Sequence, residues 1–197
     1  MTLAASWEAA HPRLPPEVLH ALQESHAPEL QGLTLLAAIP EYEVALPGGD
    51  TASHTDVLVL ARSDVGLAVI AVEGKVDEEF GPTLSSKRTE ATDGQDERLK
   101  YLHLTLGLSN PMDDTIHYQL LHRAASAVIV SRDFFASVAV MLVHSFSPTR
   151  KWFDDYVAAG GRTRAARVPG QTSRDRERLG LPDEERPDEA GHPASRE

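Results

Sequence analysis

The sequence contains no cysteine among its 197 residues, which excludes a disulfide framework and any cysteine-based zinc or redox site. A reducing cytosol suits such a chain, and we predict a cytoplasmic location. Long apolar runs are also missing. The most apolar stretch, residues 136–143, is far shorter than the ~20 residues of a membrane helix. The start of the chain has no basic segment followed by an apolar one, so we predict no membrane attachment.

Positive charge is scarce over most of the chain. The formal net charge is −11 at pH 7, and from residue 160 onward eight arginines balance eight acids, so residues 1–159 carry the whole excess. Binding to nucleic acid depends on Lys and Arg that neutralise phosphates. The acidic core therefore argues against non-specific binding of duplex DNA. It leaves open a local basic groove, or a carboxylate cluster that is offset by a bound metal.

The length allows one well-buried core and is too short for two ordinary domains. We predict one domain over residues 1–159 and a polar, disordered tail over residues 160–197, where Arg, Gly, Pro and acids dominate. Apolar periodicity predicts helices at 15–25, 96–106, 115–131 and 151–159, and strands at 42–46 and 137–145. Residues 79–95 are predicted to form a surface loop. Asp113 or Asp114 is predicted to cap the helix at 115–131.

Two runs rich in Val, Leu and Ile, at 55–61 and 67–76, are joined by a short polar link, which predicts a β-hairpin. Folding the hairpin about residues 63–65 sets Asp56 level with Glu73. Lys75 shares a face with Glu73, because alternate residues of a strand point the same way. Two carboxylates placed opposite each other repel, and a divalent cation such as Mg²⁺ or Mn²⁺ relieves that repulsion.

The pattern of one acid on each of two paired strands, followed by a lysine, resembles the PD-(D/E)XK nuclease superfamily. Here the pattern is Thr55-Asp56 and Glu73-Gly74-Lys75, with Thr55 in place of the proline of the family name. Three longer phrases are similar to an uncharacterised bacterial branch of that superfamily: Pro40-Glu41-Tyr42-Glu43, Ser53-His54-Thr55-Asp56 and Val72-Glu73-Gly74-Lys75-Val76. The resemblance implies an α/β fold with a restriction-endonuclease-like core, in which helices flank a central mixed β-sheet.

The resemblance also implies Mg²⁺-dependent hydrolysis of phosphodiester bonds in DNA or RNA. Asp56 and Glu73 would be the metal ligands, and Lys75 the catalytic lysine. Gln119 lies on the helix that follows the motif strand, where the superfamily often has a supporting glutamine. Further along that helix, His122 or Arg123 would contact phosphate.

Several of these positions have an ordinary structural interpretation as well. Gln119 and Arg123 are four residues apart and share a helix face with His122 beside it, so they could form a plain polar stripe next to the core. His54 would be a ligand, a phosphate contact or a surface histidine. One of Glu41 and Glu43 would complete a metal shell, or both would remain in solvent.

The acidic core favours a second hypothesis for the whole chain. In it the protein is a catalytically inactive member of the fold that acts as a binding or assembly module, and Glu73 and Lys75 form a structural ion pair. A metal-free interaction protein of an unrelated α/β fold is a third hypothesis. Formation of a homodimer is left open, because nucleases that cut both strands often dimerise.

Overall fold

The computed structural model describes residues 2–89, 91–108, 110–158 and 166–167. The helices are α1 (Leu3–Ala10), α2 (Pro16–Gln23), α3 (Leu84–Thr89), α4 (Asp93–Thr105), α5 (Tyr118–Asp133) and α6 (Phe153–Ala158). The strands are β1 (Thr34–Val44), β2 (Ser53–Ser63), β3 (Gly66–Lys75), β4 (Val138–Ser145) and the two-residue β5 (Ala166–Arg167). A 3-10 turn at Pro28–Leu30 precedes β1.

The strands form one mixed sheet in the order β1-β2-β3-β4-β5. The pairs β1–β2, β2–β3 and β4–β5 are antiparallel, whereas β3 and β4 are parallel. Parallel neighbours need a long crossover connection, and here that connection carries α3, α4 and α5. Helices lie on both faces of the sheet, so the predicted α/β fold with a mixed sheet flanked by helices is confirmed.

The two faces of the sheet bury separate apolar clusters. On one face, Val18 and Leu22 of α2 lie one helical turn apart and pack with Trp7 of α1 against β2, β3 and β4. On the other face, α5 packs Val130 against Leu58 and nearby sheet residues. Residues 68–72 of β3 are at most 1% exposed, which accounts for the unbroken apolar sequence of this central strand.

Strand β1 is irregular along its length. Its register with β2 shifts between Leu35 and Ala37, so Leu36 is an extra residue in the strand. Pro40 contributes no backbone N–H, and the next residue, Glu41, has a φ of 50°. In the described chain β1 pairs with β2 alone and forms one edge of the sheet.

The helix and strand bounds correct four predictions. The strand predicted at 42–46 is the last part of β1, which begins at Thr34. Helix α1 is absent from the predictions, and the predicted loop at 79–95 contains α3. The predicted cap of α5 by Asp113 or Asp114 is wrong, since the N-cap residue is His117. The Asp113 carboxylate instead accepts hydrogen bonds from the backbone N and Oγ1 of Thr115, at 2.9 and 2.8 Å.

The predicted tail over residues 160–197 lies outside the described residues, except for Ala166 and Arg167 in β5. None of the described helices combines the length and the apolar character needed to cross a membrane.

Candidate functional site

The β2–β3 hairpin has the predicted register. Val57 pairs with Val72 and Ser63 with Gly66. Continuing this register by one residue past Val57 sets Asp56 level with Glu73, where the ladder between the two strands ends. The predicted register of the hairpin is therefore confirmed as far as the Val57–Val72 pair, the last one before the two acidic residues.

The Glu73 carboxylate is buried and is surrounded by three side-chain donors. Gln119 Nε2 donates to Oε1 at 2.6 Å, and Arg123 Nε donates to Oε2 at 2.6 Å. Lys75 Nζ lies 3.3 Å from Oε1. Glu73 is only 3% exposed, and a buried charge is tolerated when it is paired and hydrogen-bonded. Two cations and one amide meet that requirement here.

Lys75 is buried beside this carboxylate and is held on several sides. Its Nζ donates to Gln119 Oε1 at 3.1 Å and to the backbone carbonyl of Glu79 at 3.4 Å. The same atom lies 5.2 Å from the centroid of the Phe80 ring. Gln119 thus bridges Glu73 and Lys75, because its amide nitrogen donates to Glu73 while its oxygen accepts from Lys75. These two contacts fix the orientation of the Gln119 amide.

The Asp56 carboxylate has a different environment. It is half-buried, and Oδ2 accepts a hydrogen bond from the backbone N of Gly74 at 2.7 Å. A Cβ added to Gly74 would lie 3.0 Å from Leu3 Cδ2 and 3.4 Å from this same oxygen. Asp56 also lines a cavity with Leu3 and Trp7 of α1. Because Gly74 and Glu73 point to opposite faces of β3, Asp56 lies on the α1 face and Glu73 on the α5 face.

The β1 backbone is irregular opposite Asp56. The pairing of β1 with β2 passes from Pro40–Val57 to Tyr42–Thr55, and Glu41 lies between them with a φ of 50°. A left-handed residue breaks the regular alternation of side chains along a strand. The regular alternation predicts that Asp56 points the same way as Leu58, towards α5, and the structure differs on this point.

The structure places the remaining predicted residues as follows. His122 lies on α5 beside Arg123, with Nδ1 2.9 Å from Ser53 Oγ. Burial, together with the positive charges of Arg123, Arg98 and Lys87, lowers the pKa of His122 to about 3. His122 is therefore neutral at pH 7 and offers phosphate a hydrogen bond at most.

His54 and Arg123 have contrasting positions. His54 is exposed, and its Nδ1 lies 3.6 Å from Glu43 Oε1 in a surface pair. Arg123 is buried and donates a hydrogen bond to Glu73, so its guanidinium stabilises the buried cluster. The structure thus brings together Glu73, Lys75, Gln119 and Arg123. It leaves His54 on the surface.

Two serines in the cluster are missing from the predicted site. Ser53 Oγ lies 2.9 Å from both Arg123 Nη1 and Ser126 Oγ. Ser126 extends the polar stripe of Gln119, His122 and Arg123 at helical spacing, so the periodicity of α5 could have indicated it. Ser53 carries no such signal, because its contacts are made across 69 to 73 positions of the chain.

The donor set meets the coordination requirements of Mg²⁺ in part. Within the described residues, no three His, Cys, Asp or Glu side chains are grouped so as to hold a metal. Mg²⁺ is commonly bound by one or two carboxylates together with water and phosphate oxygens, and Asp56 and Glu73 supply hard oxygens of this kind. Asp56 accepts one hydrogen bond from the described residues, whereas both oxygens of Glu73 have protein donors. The donors therefore fit Mg²⁺ in type, with Asp56 the more open ligand.

Fold and site together define an α/β protein whose parallel strand pair ends beside a buried cluster of glutamate, lysine, arginine and glutamine. The family model described as Domain of unknown function (DUF6946) matches residues 1–182, and the chain belongs to this family. The match continues past residue 159, where the domain is predicted to end. No curated protein and no solved structure matches the chain.

Proposed function

We propose that the chain is a Mg²⁺-dependent phosphodiesterase that acts on nucleic acid, with a site of the PD-(D/E)XK type. One observation carries this proposal: Gln119 of α5 contacts both Glu73 and Lys75 of β3. A solvated polar stripe would leave these side chains exposed, whereas Glu73 and Lys75 are buried. The resemblance implied a supporting glutamine from the helix after the motif strand, and the contacts of Gln119 support that role.

The residues of the site have the following proposed roles. Asp56 would be the protein ligand of the metal, which when bound supplies a Lewis acid for a phosphoryl oxygen. Glu73 lies on the opposite face of β3 and positions Lys75. Lys75 presents a fixed ammonium, which donates hydrogen bonds to the charge that develops on phosphate. Gln119 fixes Lys75, and Arg123 holds the Glu73 carboxylate from the side of α5.

Metal titration combined with a hydrolysis assay tests this proposal. We expect Mg²⁺ or Mn²⁺ to raise the melting temperature and to support cleavage of fluorescent single-stranded and duplex oligonucleotides. Lys75→Met should lower the cleavage rate by at least about a hundredfold, as removal of a preorganised donor commonly does. The exposed Lys100 on α4 gives a matched control, Lys100→Met, which should cleave at the wild-type rate.

The circular dichroism spectrum of Lys75→Met must match that of the wild type for the loss of rate to count. If neither metal binds to the wild type and no oligonucleotide is cut, the chain is not a metal-dependent nuclease. Equal rates for Lys75→Met and Lys100→Met would remove the role given to Lys75.

A second candidate function is a non-catalytic binding or assembly module. The Arg123–Glu73 contact at 2.6 Å favours it, since both side chains are buried and the pair locks α5 onto β3 without a metal. The net charge of −11 also favours it. In that case Glu73→Gln lowers the melting temperature, and Mg²⁺ changes the melting temperature of neither the wild type nor the variant.

A further inference from the structure

A cavity of about 290 Å³ lies next to Lys75, between the end of β4 and the segment that leads into α6. Three cationic side chains line it: Lys75, Arg150 and Lys151. Two hydroxyl side chains, Ser145 and Ser147, lie on the same wall, and the described lining residues include no acid. In a chain with a net charge of −11, this is a locally positive site suited to an anion.

The same cavity collects aromatic rings. The chain has five Phe, two Trp and four Tyr, and four of these eleven residues line the cavity: Phe80, Trp152, Phe153 and Tyr156. Phe153 is 49% exposed. Burial raises the pKa of the Tyr156 phenol, which keeps it neutral. Flat apolar rings beside cations suit a ligand that is both planar and anionic.

The backbone of the cavity wall is strained. Arg150 and Trp152 have φ values of 53° and 65°, a conformation that residues other than glycine seldom adopt. Trp152 is held in place by its indole N–H, which donates to the backbone carbonyl of Asp77 at 3.0 Å. Such strain gathers at ligand-binding segments, where the fold holds side chains in position for binding.

We propose that this cavity binds one nucleotide whose base is unpaired, with the base against the aromatic rings and the phosphate at the cations. The inference rests on the proposed function and names its substrate class, a single strand or a frayed strand end. In an intact duplex the faces of the bases are covered by their neighbours, and a base must leave the stack to enter a pocket. Stacking on aromatic side chains is the usual means of binding single strands.

The distribution of charge favours a site for a single nucleotide over a surface that binds along a duplex. Tight binding along a duplex requires many Lys and Arg contacts with phosphates, and residues 1–159 carry the whole net charge of −11, which disfavours such contacts. One nucleotide needs only a few local cations, which Lys75, Arg150 and Lys151 provide. Lys75 also belongs to the Glu73 cluster, so a phosphate in the cavity lies beside the proposed catalytic residues.

Fluorescence anisotropy of the full chain in EDTA tests the proposal without hydrolysis. The probes are a short labelled single-stranded oligodeoxynucleotide and the same strand annealed as a blunt duplex. We expect the single strand to bind at least about tenfold more tightly than the duplex. Trp152→Leu should weaken single-strand binding by about fivefold or more, the usual loss when one stacking ring is removed.

Two surface controls match the tested side chains. Phe135→Leu removes the aromatic ring of a residue that is 83% exposed and lies outside this cavity. Arg62→Gln removes an exposed cation near the hairpin turn. Both should bind like the wild type. Lys151→Gln, at an exposed position, should weaken binding by about twofold and reduce the salt dependence, even if Trp152→Leu fails to fold.

Unlabelled dAMP and inorganic phosphate serve as competitors, and they separate the base from the phosphate. We expect dAMP to displace the strand at lower concentration than phosphate does. Equal displacement by the two would mean that the aromatic rings play no part, and would overturn the proposal. Equal binding of strand and duplex, or of Trp152→Leu and Phe135→Leu, would overturn it as well.

These results are independent of catalysis. If Trp152→Leu loses single-strand binding while the wild type cleaves nothing with Mg²⁺ or Mn²⁺, the nucleotide site stands and the phosphodiesterase proposal fails. If the wild type and Trp152→Leu cleave duplex at equal rates and bind single strands equally, the phosphodiesterase stands and the nucleotide site fails.

Discussion

Glu73 and Asp56 lie level with each other on neighbouring strands, yet their carboxylates have different surroundings. Glu73 is buried on the α5 face among Lys75, Gln119 and Arg123. Asp56 is half-buried on the α1 face, beside a cavity, and accepts a hydrogen bond from the backbone of Gly74. A buried carboxylate requires compensation within the protein, whereas a half-buried one keeps oxygen lone pairs for solvent or a ligand. The comparison assigns Glu73 mainly to stability and Asp56 mainly to binding.

Removing the Glu73 carboxylate is expected to have the largest effect on stability. Glu73→Ala leaves Arg123 and Lys75 buried without a counter-charge, and breaking a buried pair in this way costs about 3–5 kcal/mol. The free energy of unfolding, measured in urea at pH 7, should fall by that amount. Glu43→Ala is the matched control, since the Glu43 side chain is 65% exposed, and it should change stability by less than about 0.5 kcal/mol.

A double-mutant cycle sharpens this result. Replacing Arg123 by Met in the Glu73→Ala background removes the cation that Glu73 had neutralised. We expect the free energy of unfolding of the double variant to fall by about 1–3 kcal/mol less than the sum of the losses in the two single variants. Simple additivity would show that the two side chains do not depend on each other.

The next largest expected effect is the pH dependence of stability that His122, on the α5 face, causes. The pKa of His122 is about 3 in the folded protein against an ordinary value of 6.5, so the unfolded chain takes up a proton first as the pH falls. Stability is therefore lost as the pH drops below about 6.5 and continues to fall towards pH 3. By pH 5 the loss due to His122 amounts to about 2 kcal/mol.

Urea unfolding of the wild type and of His122→Asn at pH 7 and pH 5 measures this contribution. Asn keeps a polar group near Ser53 and does not titrate, so the variant should lose about 2 kcal/mol less than the wild type between the two pH values. His20→Asn, on the exposed surface of α2, should behave like the wild type. Parallel losses in the wild type and His122→Asn would mean that His122 is not kept neutral by burial.

The smallest effect on stability is expected at Asp56. In Asp56→Asn the amide oxygen still accepts the hydrogen bond from Gly74 N, so the free energy of unfolding should change by less than about 1 kcal/mol. Affinity for Mn²⁺ should nevertheless fall by about tenfold or more, because a charged ligand is lost. Isothermal titration calorimetry measures this, with Asp64→Asn in the β2–β3 turn as the control. A larger loss of stability than in Glu73→Ala would reverse the comparison.

The fold could be predicted from the sequence where the apolar pattern was strong. Strands β2 and β3, the polar link between them and helix α2 follow from runs of Val, Leu and Ile and from helical spacing. Strand β1 was harder to find, because its half-buried pattern is interrupted by an extra residue and by Pro40. Helix α1 and the short α3 carry weak local signals, and tertiary packing against the sheet stabilises them.

The candidate site could be predicted from the sequence only in part. Strand alternation put Glu73 and Lys75 on one face, and helical spacing put Gln119 and Arg123 on another, so their meeting required only that α5 pack on β3. The direction of Asp56 could not be predicted from strand alternation, because β2 departs from that alternation at Asp56, beside the left-handed Glu41 of the adjacent strand. The aromatic cavity depends on how the segment before α6 returns to β4, which local sequence does not specify.

The irregular strand β1 also bears on how molecules of this protein behave beside one another. A regular edge strand offers a row of free N–H and C=O groups that can capture a strand from another molecule. In β1 that row is broken by the extra residue Leu36, by Pro40 without an N–H, and by the left-handed Glu41. The β1 edge of the sheet is therefore a poor template for aggregation, even though Leu36 is 54% exposed.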